Sequence, residues 1–157
     1  MTMTIRRIVT GHDDTGKAIV TIDKPFEKIN VMRSGNSAAT LWITDDMPAE
    51  VDGDEDPAER DIDIEPPARG TVFRILELVP GKAPYMHRTD TVDYVVVLNG
   101  ECVMLLDDGE EVALKAGDVM IQRATWHGWT NRTDAPCRIA FVLTGAKAPK
   151  THLHHDH

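Results

Sequence analysis

Two short segments of the chain carry most of the side chains that could do chemistry. The first places His87, Thr89 and Asp93 just before an apolar, β-branched run, and the second places His127 in a turn-rich stretch further on. Imidazole nitrogens and carboxylate oxygens bind divalent transition metals, and the same groups transfer protons near neutral pH. The two histidine-bearing turns therefore predict a polar site at the mouth of a β-barrel.

Aromatic and polar residues surround both histidines and suggest a small-molecule pocket. Such pockets combine aromatic walls with a few convergent polar groups, although aromatic residues also fill barrel cores. Arg123 has two readings: it binds a substrate carboxylate in two-point contact, or it lies on the surface facing acidic residues. The predicted substrate-binding set is Tyr85, Thr89, Gln122, Arg123, Trp126 and Trp129.

These residues must be positioned by short strands. Apolar and β-branched runs broken by frequent turn signals, without a 3.6-residue apolar period, predict an all-β sandwich or barrel. Asn99-Gly100 predicts a tight hairpin with Glu101–Leu106 as the return strand. The predicted strands are Ile5–Thr10, Ala18–Ile22, Ala39–Thr44, Thr71–Val79, Thr91–Leu98, Glu101–Leu106, Glu111–Leu114, Val119–Gln122 and Arg138–Thr144.

Composition narrows the class of protein. The chain has 157 residues and a net charge of −9, which disfavours nucleic acid as a partner. It contains no apolar run long enough for a membrane span and no signal-peptide pattern, so we expect a cytoplasmic protein that does not bind membranes. Cys102 and Cys137 have no motif spacing and are expected to be buried core residues.

Two segments depart from the barrel pattern. Residues 45–67 hold eleven acidic side chains and one base, Arg60, together with several prolines. This composition predicts an acidic loop, which is either a flap over the barrel mouth or simply solvated. Residues 149–157 form a His-rich tail beyond the last strand. Its histidines could capture transition metals without functional meaning.

The spacing of the two histidine segments resembles that of the cupins, which are small jelly-roll barrels. Gly81, His87 and Gly100 fit the first cupin motif, with Thr89 in the place of its second histidine and Asp93 in the place of its glutamate. In the second motif the matching residues are Gly117, His127 and Asn131, with Arg123 and Thr125 in the places of its proline and glycine. The resemblance covers about residues 70–145.

The resemblance implies an all-β fold: a double-stranded β-helix, or cupin jelly-roll barrel, with an N-terminal β extension and the acidic loop. It implies a single domain over residues 1–148. We also expect a homodimer, since jelly-roll edge strands and the N-terminal β segments invite pairing.

The resemblance leaves three functions open. In the first, His87, Asp93 and His127 bind Fe, Mn, Ni or Zn, and the metal acts on a small oxygenated organic substrate, for which the aromatic walls favour an aromatic skeleton. This metal site requires a bend at Thr89–Thr91. In the second, no metal is bound, and His87 and His127 act as acid and base with Asp93 orienting one of them, as in a dehydratase, cyclase or epimerase. In the third, the barrel binds a small molecule without catalysis.

Overall fold

The computed structural model describes residues 3–61 and 65–154 and contains almost only β-strands. The strands are β1 (Arg6–His12), β2 (Ala18–Pro25), β3 (Asn30–Val31), β4 (Ser37–Thr44), β5 (Thr71–Leu78), β6 (Thr91–Asn99), β7 (Glu101–Leu105), β8 (Glu111–Lys115), β9 (Val119–Arg123), β10 (Gly128–Thr130) and β11 (Cys137–Gly145). All nine predicted strands are present. The sequence missed β3 and β10, which at two and three residues are too short to show an alternating pattern.

Two antiparallel sheets enclose the main core. The larger has the order β3-β4-β5-β11-β6-β9, and the smaller has the order β10-β7-β8. Alternate side chains of β4, β6 and β11 are buried, as expected for strands with one face on a core. Val72, Val95 and Ile139 of the larger sheet pack with Met104 and Trp129 of the smaller. This arrangement is the predicted jelly-roll barrel.

The predicted hairpin at Asn99-Gly100 is wrong. β6 pairs with β9 and β11, whereas β7 pairs with β8 and β10, so the chain leaves one sheet and enters the other at Gly100. Gly100 has φ +75°, and a Cβ there would lie 2.5 Å from the carbonyl oxygen of Pro136. The glycine is therefore needed for a tight corner between the sheets. The Asn-Gly dipeptide suits such a corner as well as a hairpin turn, so the sequence alone does not distinguish the two.

A separate ribbon of β1 and β2 forms the N-terminal β extension. The segment leading into it and the loop after it cover part of the outer face of β4 and β5, where Met3, Ala39, Leu41 and Ile75 form a second, smaller core. Within the described residues, the outer face of β6 and β9 is not covered in this way. Its exposed apolar side chains are Tyr94, Val96, Leu98, Val119 and Ile121, and the exposed Arg123 lies in phase with the last two on β9.

The acidic segment is attached to the barrel at its later part. The nearly buried Arg7 forms an ion pair with Asp56 and donates a 2.9 Å hydrogen bond to the Leu41 carbonyl. Lys28 Nζ donates to the carbonyl oxygens of residues 58–60 at 3.0 to 3.3 Å. These contacts hold a short 3-10 turn, Pro57–Glu59, against the N-terminal strands. Residues 62–64 of the segment lie outside the described part of the chain.

The tail packs on the barrel as far as residue 154. The His154 ring stacks on Trp126 with centroids 4.1 Å apart, and His154 Nε2 lies 2.7 Å from Asp107 Oδ1. His155 and His157 lie outside the described residues. Cys102 and Cys137 are both buried with free thiols, as predicted. In residues 3–61 and 65–154 no helix has the length and apolar character needed to cross a membrane.

Candidate functional site

A cavity of about 990 Å³ lies inside the barrel and is lined by both histidines singled out in the sequence. Its polar lining includes Thr40, Arg74, His87, Thr89, Asp93 and His127, and its apolar lining includes Leu76, Leu78, Trp129, Phe141 and Leu143. Residues 28–36 and 58–61 contribute further lining residues, so the later part of the acidic segment does reach the cavity. This volume suits a drug-sized organic molecule.

His87 and His127 lie side by side. Their backbones form an isolated antiparallel bridge with two reciprocal N–H···O hydrogen bonds of 2.9 Å. Their ring centroids are 4.5 Å apart, with the ring planes tilted by 52°. Gly128 permits this close approach, because a Cβ there would lie 2.7 Å from the sulfur of Met86. The two histidine-bearing segments therefore meet as the sequence predicts.

Backbone carbonyls orient both rings in the same way. His87 Nδ1 lies 3.1 Å from the Tyr85 carbonyl oxygen, and His127 Nδ1 lies 2.8 Å from that of Thr125. A carbonyl oxygen only accepts hydrogen bonds, so each Nδ1 carries the hydrogen and Nε2 is the basic nitrogen of the neutral ring. A ring held in this tautomer can accept a proton or bind a metal through Nε2.

His127 is held neutral by its surroundings. His127 is only 4% exposed to solvent. Burial lowers its pKa to about 4 and the neighbouring His87 lowers it slightly further, against the hydrogen bond to the Thr125 carbonyl, which favours the charged form. At neutral pH this imidazole is therefore an uncharged base.

Asp93 shows the opposite shift. Burial raises its pKa to about 6, although the hydrogen bond from Thr91 and the charge of Arg74 both lower it. Thr91 Oγ1 donates to Asp93 Oδ1 at 2.7 Å, and Thr89 Oγ1 lies 2.7 Å from Thr91 Oγ1. The chain bends at residue 90, as the metal-site hypothesis required, and brings Asp93 into the cavity with the histidines.

Arg74 is a cavity residue that the sequence analysis missed. It lies on β5, in phase with the inward-facing Val72 and Leu76. Its Nε donates to Thr40 Oγ1 at 3.3 Å. Burial lowers the pKa of its guanidinium, while Asp93 raises it. An arginine in register with apolar core positions of an alternating strand is the signal that could have identified it.

The predicted substrate-binding residues fall into two groups. Tyr85, Thr89 and Trp129 line the cavity, where Tyr85 stacks on His87 with centroids 5.4 Å apart and Trp129 meets His127 edge-on at 6.3 Å. The other three predicted residues line a second cavity of about 630 Å³, under the C-terminal tail. They are Gln122, Arg123 and Trp126. The Gln122 side chain is buried and accepts a hydrogen bond from Thr125, Arg123 is exposed, and Trp126 is stacked on His154.

The described side chains do not fit a three-ligand metal centre. Among residues 3–61 and 65–154, no three His, Cys, Asp or Glu side chains are grouped so that they could hold one ion. His87 and His127 adjoin each other, but Asp93 does not complete a set with them, and Thr89 offers a hydroxyl where the cupin motif has a second histidine. The site as described is two oriented imidazoles beside a buried carboxyl and a guanidinium.

Comparison with known proteins decides the family. The cupin domain model matches residues 74–144. A phomopsin biosynthesis cluster protein, C', from Diaporthe leptostromiformis is 34% identical over 92% of this chain and 80% of its own length. A cupin-domain-containing oxidoreductase, fogC, from Aspergillus ruber is 33% identical over 87% of this chain and 70% of its own length. The chain belongs to the cupin family.

A solved structure agrees with this assignment. A Cupin 2 conserved barrel domain protein from Salinispora arenicola has the same fold, with a TM-score of 0.50 and 14% identity over 74% of this chain and 81% of its own. The cupin fold predicted from the two motifs is confirmed.

Proposed function

We propose that this cupin is an enzyme that transfers protons on a small oxygenated organic molecule, with His127 as the base and Asp93 as the acid. The observation that carries the proposal is the state of His127. The Thr125 carbonyl fixes the hydrogen on Nδ1, and burial keeps the ring neutral, so Nε2 is a base in a largely apolar cavity.

The reaction needs no group beyond these side chains. His127 Nε2 removes a proton from a carbon next to a carbonyl, and the electrons of the C–H bond move to form an enol. Asp93 in its acid form gives its proton to the carbonyl oxygen. Return of the two protons at different positions isomerises the substrate, and loss of a β-hydroxyl as water gives a dehydration. The raised pKa of Asp93 keeps part of its carboxyl protonated near pH 6, and the lowered pKa of His127 keeps its Nε2 free of a proton at neutral pH.

The groups that orient the histidine rings differ from those expected from the sequence. In the metal-free hypothesis, Asp93 was expected to orient one histidine. In the structure the Tyr85 and Thr125 carbonyls orient the rings, and Asp93 accepts a hydrogen bond from Thr91. Asp93 is therefore better suited to exchange a proton itself, while His87 supports His127 through their paired backbones.

A metal-dependent reaction is the second candidate. It is favoured by the name of the Aspergillus ruber relative, a cupin-domain-containing oxidoreductase, and by the two imidazoles with Nε2 as the basic nitrogen. In this case His87, Asp93 and His127 would bind Fe, Mn, Ni or Zn, which would supply Lewis-acid or redox chemistry. Because the described residues do not form that set, this candidate requires Asp93 to move.

Deuterium exchange tests the proposal and separates the candidates. The full chain is dialysed against a chelator, and exchange at the α-carbon of a panel of aryl alkyl ketones in D₂O is followed by NMR. We expect exchange to persist after chelation, to fall about 100-fold or more in H127Q, and to be unchanged in H12Q, an exposed histidine of β1.

Two results would reject this function. Exchange that stops on chelation and returns with Fe(II), Mn(II), Ni(II) or Zn(II) would establish the metal-dependent alternative instead. Binding of panel members without any exchange, in chelated and metal-supplemented protein alike, would establish a binding protein without catalysis.

We also propose that the enzyme is a homodimer that packs through the outer face of β6 and β9. Five exposed apolar side chains make up most of this face, with the exposed Arg123 at the end of β9, on a chain of net charge −9. An identical, largely apolar face is therefore its complementary partner. Light scattering of the eluting protein should give a dimer mass, and I121K should give a monomer. The control V112K, an exposed valine of the other sheet, should stay dimeric; a monomeric native chain would reject the proposal.

A further inference from the structure

We propose that the second cavity, beneath the C-terminal tail, binds a flat, uncharged aromatic molecule that carries a carbonyl group. The apolar lining buries the aromatic rings, and Gln122 Nε2 donates a hydrogen bond to the carbonyl oxygen. Among the described residues, this cavity and the one that holds His87 and His127 share no lining residue. The inference therefore concerns a second site and does not rest on the proposed function.

The donor at this site is a buried side-chain amide. Gln122 is 4% exposed and lies directly across from Asp93 in the pairing of β9 with β6, so both side chains are on the inner face of the larger sheet. Thr125 Oγ1 donates a hydrogen bond to Gln122 Oε1, which fixes the orientation of the amide. Within residues 3–61 and 65–154, Gln122 Nε2 has no hydrogen-bond partner. A buried donor without a partner destabilises a protein, and an acceptor oxygen on a ligand removes this penalty.

Apolar side chains supply the surface for the rings of the ligand. The cavity has a volume of about 630 Å³, and its apolar lining includes Met104, Leu106, Met120, Trp126 and Leu153. Methionine thioethers are flexible and make favourable contacts with aromatic rings. Apolar walls with a few well-placed polar groups are typical of small-molecule sites.

The C-terminal tail forms one wall of the cavity and is anchored at residue 154. The His154 ring stacks on Trp126 with centroids 4.1 Å apart, and its Nε2 lies 2.7 Å from Asp107 Oδ1. Arg88 Nε donates a 3.2 Å hydrogen bond to the His154 carbonyl oxygen. These contacts hold the wall in place before a ligand arrives, so binding does not have to order the tail.

The charged groups of the lining indicate an uncharged ligand. Arg88 Nη1 lies 2.7 Å from Asp90, and Asp107 is in contact with His154. Arg123 is exposed, so water screens its charge. The buried donor that lacks a partner is the neutral amide of Gln122. A ketone, lactone or amide oxygen suits it, whereas a carboxylate would lose its hydration without gaining a buried cation.

Methionine-methyl NMR of the full chain provides the test, because methionines mark both cavities. Met104 and Met120 line the second cavity, and Met32 lines the first. The probes are 2-acetylnaphthalene and 2-ethylnaphthalene, which has the same rings without a carbonyl group. We expect the ketone to shift the Met104 and Met120 signals, assigned with M104L and M120L, and to bind there about tenfold more tightly than the hydrocarbon. The Met32 signal reports separately any binding in the first cavity.

Q122L removes the amide donor and keeps an apolar side chain of similar bulk. The affinity of the ketone, measured at Met104 and Met120, should fall to that of the hydrocarbon. If Q122L does not fold, Q122M, which matches glutamine in length, provides the same comparison. The control N30L removes a carboxamide that lines the first cavity and should keep the tenfold difference of about one order of magnitude.

Three results would overturn the inference. In the first, neither Met104 nor Met120 responds to the ketone, or only Met32 does. In the second, the ketone and the hydrocarbon bind equally well to the native chain. In the third, a folded Q122L or Q122M keeps the difference, or N30L removes it, so that the carbonyl group is recognised elsewhere.

Discussion

Asp93 and His127 line one cavity, and burial moves their pKa values in opposite directions, to about 6 and about 4. Between these values both groups are uncharged. The order of the two pKa values is the reverse of that of a free aspartate and a free histidine. Asp93 therefore lowers the free energy of unfolding at high pH and His127 lowers it at low pH, and single substitutions can separate the two effects.

D93N should stabilise the protein at pH 8. The folded pKa of Asp93 is raised, so its folded state is favoured below the unfolded pKa near 4 and loses stability as pH rises through about 6. The asparagine can still accept the hydrogen bond from Thr91 and avoids this loss. Urea unfolding should show a gain of up to about 3 kcal/mol at pH 8 and almost none at pH 4. An equal change at both pH values would contradict the shift.

H127Q should make the protein more resistant to acid. The folded pKa of His127 is lowered, so its contribution to stability is complete above the unfolded pKa near 6.5 and disappears as pH falls toward 4. A neutral glutamine does not need to charge on unfolding. The difference in unfolding free energy between variant and native protein should therefore shift in favour of H127Q by up to about 3 kcal/mol between pH 7 and pH 4. A pH-independent difference would show that His127 titrates normally.

T91V should raise the pKa of Asp93. The hydroxyl of Thr91 stabilises the carboxylate by donating a 2.7 Å hydrogen bond, and valine has the same shape without a donor. Carboxyl NMR titration should show a higher pKa in T91V, and the alkaline limb of the kcat/KM profile should move with it. T91S, which keeps the donor, is the control and should resemble the native chain. A limb that stays in place in T91V would remove Asp93 from the rate-controlling protonations.

D56A should be strongly destabilising. It removes the carboxylate partner of Arg7, whose side chain is 9% exposed, and leaves a buried guanidinium without that charge. Breaking such a pair costs about 3 to 5 kcal/mol. D23A breaks the adjacent Arg6 pair, whose side chains are 67% and 43% exposed, and should cost far less stability because water screens this pair. Chemical denaturation of the two variants should reproduce this difference; equal losses would mean that the Arg7 pair is solvated.

The sequence predicted the fold well because its strong signals are local. Alternating runs gave nine strands, and the spacing of glycines and histidines around His87 and His127 indicated the jelly roll. The hairpin at Gly100 was wrong because a positive-φ glycine serves a hairpin turn and a corner between sheets equally well. Which one forms depends on strand pairing between distant segments, which no dipeptide encodes.

The site was only partly predictable for a related reason. Six of the cavity-lining residues could be selected because they lie within or next to the two motifs in the sequence. They are Tyr85, His87, Thr89, Asp93, His127 and Trp129. Gln122, Arg123 and Trp126 are just as close to His127, yet they belong to the second cavity, because the whole run 120–126 lines that cavity under the C-terminal tail. Arg74 was missed because it comes from a strand without a motif, and only the sheet order brings it near Asp93.

The place of β11 in the larger sheet has a consequence for how the protein is made. β11 is synthesised after β1 to β10, yet it lies between β5, which carries Arg74, and β6, which carries Asp93. These two strands cannot be joined in the sheet until β11 has left the ribosome. Pairings of this kind, between distant segments, are slow to form. A nascent chain without β11 therefore has neither the cavity nor its chemistry, and both are acquired together when β11 pairs.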